Sequence, residues 1–346
     1  MTVLILGIES SCDETAVSLV ENGRKIISNV VSSQEKIHAQ YFGVVPELAS
    51  RAHLENINYV FEKALGNAKI GIKPKDLESV EAVSVTAGPG LMGSLLLGWT
   101  FARTLSFIYN KPLVPVNHLE GHVFSSMLEY PELKPPFLAL VVSGGHTELV
   151  IVKDFGKYKV LGRTRDDAAG EAFDKVAKLL NLTYPGGPVI ENRAKDGNPE
   201  AVKFTRPYMW ANWDFSFSGI KTAVVYHVRD NTKKTGFTAE QINDICASFQ
   251  SAVVDTLVDK TIAAAKKFNL NKIVACGGVA ANGFLRESFI KKGAESKMNI
   301  FIPARNLCTD NAAMIASVGY YKYKSKKSKY NINNFPEPNL EIKDWK

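Results

Sequence analysis

Apolar and polar positions along the start of the chain read as strand, turn, strand. Val3-Leu4-Ile5-Leu6-Gly7-Ile8 runs into the acidic turn Glu9-Ser10-Ser11-Cys12-Asp13-Glu14-Thr15, and Ala16 to Val20 leads out to Glu21-Asn22-Gly23. The plan recurs between Phe137 and Val152: Leu138 to Val142 enters Ser143-Gly144-Gly145-His146-Thr147, and Glu148 to Val152 leaves it. This repetition points to a duplication. Each half then continues as alternating strand and helix. In the first, Ser79 to Thr86 reads as a strand, Gly88-Pro89-Gly90 as a tight turn and Leu91 to Ile108 as an apolar helix opening on small residues. In the second, Lys272 to Cys276 reads as a buried strand, Gly277-Gly278 as its turn and Asn282 to Lys291 as a helix. The pattern predicts a first lobe over residues 1–113, a second over 114–323 with an aromatic-rich insertion near 185–235, and a loosely held basic tail over 324–346. The insertion carries Tyr208, Trp210, Trp213, Phe215 and Phe217, a density that fits a small accessory core better than a stacking surface for bases.

A length of 346 residues suits about two domains, and 45% hydrophobic with 22% charged residues excludes wholesale disorder. No apolar run is long enough to span a bilayer, and Val3 to Ile8 lacks the basic lead-in of a secretory signal. Cys12, Cys246, Cys276 and Cys308 are widely spaced, which excludes a zinc ribbon and suits a reducing cytoplasmic setting. Lys plus Arg number 42 against 35 Asp plus Glu, a net charge of +7, concentrated in Lys322, Lys324, Lys326, Lys327 and Lys329. Such an excess suits a polyanion such as RNA, but a lysine-rich tail is more often a solvated end of the chain.

The chemistry centres on His118-Leu119-Glu120-Gly121-His122. Histidines four positions apart on a helix share one face, where a metal ion can join them. The same spacing serves a cap or a core hydrogen bond, so the pair alone leaves both readings open. A third ligand must come from elsewhere, and Asp310, in Leu307-Cys308-Thr309-Asp310-Asn311, is the candidate. The glycine pairs at Gly144-Gly145 and Gly277-Gly278 let backbone N–H groups approach a phosphate, although neither matches a Walker or dinucleotide fingerprint.

Nine motifs, in order, carry a close resemblance to a known family: Gly7 to Thr15 (GIESSCDET), Gly43 to Arg51 (GVVPELASR), Gly88 to Leu91, Val116 to His122 (VNHLEGH), Val142 to Thr147 (VSGGHT), Gly170 to Lys175 (GEAFDK), Asp214 to Thr222 (DFSFSGIKT), Gly277 to Asn282 (GGVAAN) and Cys308 to Asn311 (CTDN). Together they resemble the TsaD family, also called Gcp or YgjD, from residue 7 to about 316. The resemblance implies an α/β fold of the actin-like, sugar-kinase and Hsp70 (ASKHA) class, with duplicated ribonuclease H-like domains around a central cleft. It implies transfer of a threonylcarbamoyl group from threonylcarbamoyl-AMP to N6 of adenosine 37 in tRNAs that read ANN codons.

It further implies one divalent ion, Fe(2+) or Zn(2+), on His118, His122 and Asp310. An adenylate site is implied around Val142, Ser143, Gly144, Gly145, His146, Asp174, Gly187 and Asn282, with Glu191 as a ribose ligand. The Ser-Gly-Gly-His form resembles the bacterial or mitochondrial branch, and Val141 stands where an archaeal tyrosine can join the metal shell. Asp13 and Glu14 are candidates for positioning N6 or relaying its proton; capping their own turn is the alternative. Lys221 is a candidate for a phosphate contact or for a structural ion pair. The implied partners are tRNA, the paralogue TsaB as a heterodimer through a helix near Glu47 to Leu65, and the ATPase TsaE, with TsaC or its relative making the adenylate; no membrane is implied.

Three other readings compete with this one. A metalloprotease needs Glu directly after the first His, but Leu119 stands there and Glu120 is turned about 100° around the helix. A small-molecule kinase on the same fold would favour oxygen ligands for magnesium over two imidazoles. A non-catalytic nucleotide-dependent binding module would release no AMP.

Overall fold

The central strands Leu4–Glu9 and Phe137–Val142 form where apolar positions run unbroken, because they end up covered on both faces. The computed structural model describes residues 2–70, 77–209, 212–231, 236–325 and 335–345, and it divides into two compact units.

The first unit comprises residues 1–135, 154–158 and 306–346. Its elements are β1 (Leu4–Glu9), β2 (Glu14–Glu21), β3 (Lys25–Ser33), α1 (Pro46–Asn67), β4 (Val80–Gly88), α2 (Met92–Ile108), β5 (Leu113–Asn117) and α3 (His118–Glu129), with a returning helix at Ala312–Ser325. The sheet order is β3-β2-β1-β4-β5. β1 and β2 pair antiparallel from Leu4↔Glu21 to Glu9↔Ala16, while β1–β4 and β4–β5 are parallel. Helices α1 and α2 close one core with Leu6, Ile8, Val17, Val60, Val83 and Trp99.

The second unit comprises residues 136–153 and 159–305. Here β6 (Phe137–Val142), β7 (Thr147–Asp154), β8 (Lys157–Arg163), α4 (Ala169–Leu179), α5 (Gly186–Ala194), α6 (Ser218–Asn231), α7 (Ala239–Lys267), β9 (Lys272–Cys276), α8 (Gly283–Glu295) and β10 (Asn299–Phe301) follow in order. Its sheet reads β10-β9-β6-β7-β8, the first sheet's order in reverse. The β6–β7 hairpin is antiparallel from Phe137↔Val152 to Val142↔Thr147, and β6–β9 and β9–β10 are parallel. Two sheets with one strand plan are the duplication expected from the repeated hairpins.

Two expectations about organisation change. The division falls after α3, and the returning helix sits with the first unit, not in a lobe over 114–323. That helix packs on β1, β2 and β4. At Gly7 a Cβ would collide with the Ala312 carbonyl oxygen, so only glycine admits this approach. The tail is also not loose over its described part. Residues 335–345 fold back onto the first unit, with Glu337 N donating to Ala87 O at 2.7 Å and Gly90 N to Pro338 O at 3.1 Å, and with Ile342 buried. Lys326, Lys327, Lys329 and Trp210 lie outside the described residues. The described aromatics of the insertion build a core, as Phe215 and Phe217 are fully buried and stack at 6.2 Å.

Candidate active site

The turn between β1 and β2 is held from several sides. Ser10 Oγ donates to Ser94 O at 2.9 Å. His53 on α1 reaches the Cys12 carbonyl from Nε2 at 2.9 Å and Thr15 Oγ1 from Nδ1 at 2.7 Å. A carbonyl only accepts, so Nε2 carries the proton and Nδ1 accepts from the threonine. Burial lowers the His53 pKa and keeps this arrangement neutral.

Asn117 fixes the start of α3. Its Oδ1 accepts from Leu119 N at 2.9 Å and Glu120 N at 3.2 Å, an N-cap worth about 1 kcal/mol. The cap places His118 and His122 one turn apart on one side of α3. Asp310 comes from the turn ahead of the returning helix, where Asn311 Oδ1 caps Met314 N at 3.1 Å and Nδ2 holds Thr309 O at 2.8 Å. One ligand atom from each of His118, His122 and Asp310 lies within 4.8 Å of the others. Asp310 Oδ1 is 3.5 Å from His118 Nε2 and 3.1 Å from His122 Nε2.

Two observations fit this trio to a cation. Both ring nitrogens of fully buried His122 lack a hydrogen bond among the described residues, since the approach to Asp310 is out of line for one. Such orphaned nitrogens are costly unless something binds them. On the other ring, His118 Nδ1 meets Glu9 Oε2 at 3.0 Å and Ser11 Oγ at 3.2 Å, which turns Nε2 toward Asp310. A carboxylate behind an imidazole is the usual way a metal-binding histidine is oriented. Glu9 is completed by Ser11 N at 2.5 Å and Thr86 Oγ1 at 2.6 Å. Burial opposes charging His118, but Asp310 and Glu9 outweigh it and raise the imidazole to about 9 without a cation. Burial also opposes ionising Glu9, yet His118 holds it below the ordinary carboxylate value. Glu14 is pushed well up by burial beside Asp310 and Asp13. The Cys12 thiol is driven far up by burial and Asp13, which removes it as a nucleophile.

Sequence reasoning passed over Glu9 as a charge that ends a strand; its role shows only when β1 lies beside α3. Glu120 is buried on α3 and taken up by Tyr158 Oη, by Trp345 Nε1 at 2.5 Å and by Lys322 Nζ at 3.3 Å. It is no free base, in agreement with the missing protease motif. Burial and the adjacent Glu120 hold the Tyr158 phenol well above its ordinary range, so it stays a donor.

In the second unit a pocket of about 180 Å³ is lined by Gly144, Asp174, Gly187, Glu191 and Asn282 of the expected residues, and also by Gly170, Phe173, Pro188, Gly278, Val279 and Ala281. Ser143 and His146 close the turn beside it, Ser143 N to His146 O at 2.8 Å and His146 N to Ser143 Oγ at 3.2 Å, and leave Gly144 and Gly145 exposed. The Val142 side chain lies in the sheet core, fully buried. Asp174 Oδ1 accepts from Gly186 N at 2.7 Å and Glu191 Oε1 from Gly283 N at 2.9 Å. Asn282 caps α8 through Leu285 N at 2.9 Å and donates to Gln250 Oε1 at 2.7 Å. Gly277 has φ +94°, and a Cβ there would collide with the Val142 carbonyl oxygen. Lys221 pairs with Asp167 at 2.6 Å, the structural alternative.

No helix among the described residues is long and apolar enough to cross a membrane. By architecture the chain is similar to solved ASKHA proteins: HypF in its phosphate- and nucleotide-bound form (TM-score 0.59, 14% identity, 95% of this chain and 56% of that one) and the ROK hexokinase of Thermus thermophilus (TM-score 0.51, 13% identity, 94% and 100%). These likenesses establish the fold alone. By sequence it is similar to the tRNA N6-adenosine threonylcarbamoyltransferases of Endomicrobium trichonymphae (55% identity, 99% of both chains) and Caldicellulosiruptor saccharolyticus (49% identity, 99% of both). The family model for TsaD, tRNA N6-adenosine threonylcarbamoyltransferase, matches residues 25–317. With that match and half its residues shared with such relatives over nearly its full length, the chain belongs to the TsaD family of tRNA N6-adenosine threonylcarbamoyltransferases.

Proposed function

We propose that this chain transfers the threonylcarbamoyl group from threonylcarbamoyl-AMP to N6 of adenosine 37 in tRNAs reading ANN codons. The observation that carries the reading is the trio His118, His122 and Asp310, with Glu9 behind His118 and His122 unsatisfied. In the transfer, N6 attacks the carbonyl carbon, a C–N bond forms, the bond from that carbon to the phosphate oxygen breaks, and AMP leaves as N6 loses a proton.

The donor is already activated, so placement is the main work. Adenine N6 is a weak nucleophile, and water at about 55 M competes for the same carbonyl. Asp174 and Glu191 accept hydrogen bonds from the ribose hydroxyls, and the Gly144-Gly145 amides address the phosphate. Asp13 and Glu14 position N6 or relay its proton. His118, His122 and Asp310 hold one Fe(2+) or Zn(2+), which when bound supplies a Lewis acid for the developing negative charge. Two imidazoles disfavour the magnesium of a kinase.

The proposed partners are tRNA, TsaB and TsaE in a cytoplasmic setting; Leu54 and Tyr59, exposed on α1, support a helical face for TsaB. Single-turnover reaction of labelled threonylcarbamoyl-AMP with unmodified tRNA tests the activity. Modified nucleoside and AMP are expected, with loss of both in His118→Ala. Phosphoryl transfer to a small hydroxyl compound, or AMP release without nucleoside modification, would overturn the reading.

A further inference from the structure

The first turn of α3 carries a second buried acid whose partners all lie away from the cation ligands. Glu120 Oε1 accepts from Tyr158 Oη and from Trp345 Nε1 at 2.5 Å, and Oε2 faces Lys322 Nζ at 3.3 Å. Lys322 also sits over the Trp345 ring, 5.5 Å from its centroid. These three donors come from the start of β8, the segment 335–345 and the returning helix, all within the first unit. A carboxylate this buried is stable only with its partners in place.

The position of these partners matters. Lys322 belongs to the helix that Asp310 precedes, and Glu120 belongs to the helix that bears both histidines. The pair therefore joins the two elements that carry the cation ligands. The segment 335–345 adds a second tie, since Asn117, the cap of α3, donates Nδ2 to Leu340 O at 2.9 Å. Trp345 N also donates to Gly156 O at 2.9 Å, so the segment is held beside Tyr158.

We infer that Glu120 is a positioning residue: with Tyr158, Trp345 and Lys322 it sets the spacing between the two histidines and Asp310, and residues 335–345 are part of the cation site's support. The inference rests on the metal reading of the trio. No contact between Glu120 and the ion is involved.

Full-length Trp345→Phe and Tyr158→Phe each delete one donor to Glu120 and keep an aromatic ring. The test compares them with wild type and with His122→Ala. It measures Zn(2+) affinity by chelator competition, the visible spectrum of the Co(2+)-loaded protein, and Tm with and without Zn(2+). Supporting groups of this kind cost about tenfold in metal affinity. A tenfold rise in Kd, a displaced Co(2+) band and a larger Tm loss in the loaded than in the metal-free protein are expected in both variants. Wild-type Kd and spectrum in both, or equal Tm losses with and without Zn(2+), would overturn the inference. Absence of a bound ion in wild type itself would instead sink the metal reading and this inference with it.

Discussion

Replacing His122 by leucine separates the candidate cation site's function from its cost. Both His122 ring nitrogens are buried with no hydrogen bond to a described residue, and Nε2 lies 3.1 Å from Asp310 Oδ1. Each unmade buried hydrogen bond costs about 1–3 kcal/mol, so the ring carries a gross penalty of about 2–6 kcal/mol without a cation. The Asp310 contact and an imperfect leucine fit, itself worth up to about 1.5 kcal/mol, offset most of that. His122→Leu is expected to stabilise the metal-free protein by about 1 kcal/mol. The loaded protein moves the other way: a zinc site of about 12 kcal/mol shared over four positions loses about 3 kcal/mol per ligand, or about 150-fold in Kd. Urea unfolding in EDTA and in excess Zn(2+), with chelator competition for Kd, reads both signs. A variant less stable in EDTA, as an ordinary core substitution would be, or one that keeps its Kd within threefold, would refute the reasoning.

Three further outcomes are expected. Lys260, buried against the Met209 and Asp214 carbonyls, is pulled down to about 8 by burial. The unfolded chain therefore binds the extra proton between about pH 8 and its ordinary 10.5, and stability rises with pH through that window; urea midpoints at both ends should show the rise in wild type and not in Lys260→Met. Asp166 accepts from Ser216 Oγ, Ser218 Oγ, Phe217 N and Ser218 N at the start of α6. Burial opposes its charge, but these bonds outweigh it and lower its pKa, so its contribution is present above the ordinary value of 3.8 and is lost as pH falls below. Asp166→Ala should cost about 1–2 kcal/mol at pH 7 and nothing near pH 2, by denaturant titration. Gly277→Ala, with φ +94° and a carbonyl where its Cβ would sit, should lose at least about 2 kcal/mol by the same assay and weaken AMP binding in calorimetry.

The strands and most helices were legible because their signals are local. Lys272–Cys276 is a short buried apolar run, and Leu91 and Asn282 stand at the helix starts that the sequence marks, Asn282 as a side-chain cap. The duplication was legible because both hairpins print the same pattern twice. The place of the returning helix was not, since an apolar helix does not say which sheet it will cover; Gly7 explains the packing only once Ala312 is seen against it. The tail looked loose because Leu340, Ile342 and Trp345 are isolated apolar residues among polar ones, and their partners are far away in sequence. The residues gathered as a candidate cation site, His118, His122 and Asp310, were legible through their motifs. Glu9 was not, because its link to His118 spans 109 positions and leaves no periodic trace.

One plan of strands, used twice, has acquired opposite electrical tastes. The bend joining β1 to β2 carries the carboxyl groups of Glu9, Asp13 and Glu14, a set that favours a cation over a phosphate. The equivalent bend joining β6 to β7 has no acidic residue and exposes Gly144 and Gly145, whose bare amides suit an anion. On the proposed function, a nucleotide therefore finds its berth at one of two architecturally equal places, and the copies have become complementary in sign.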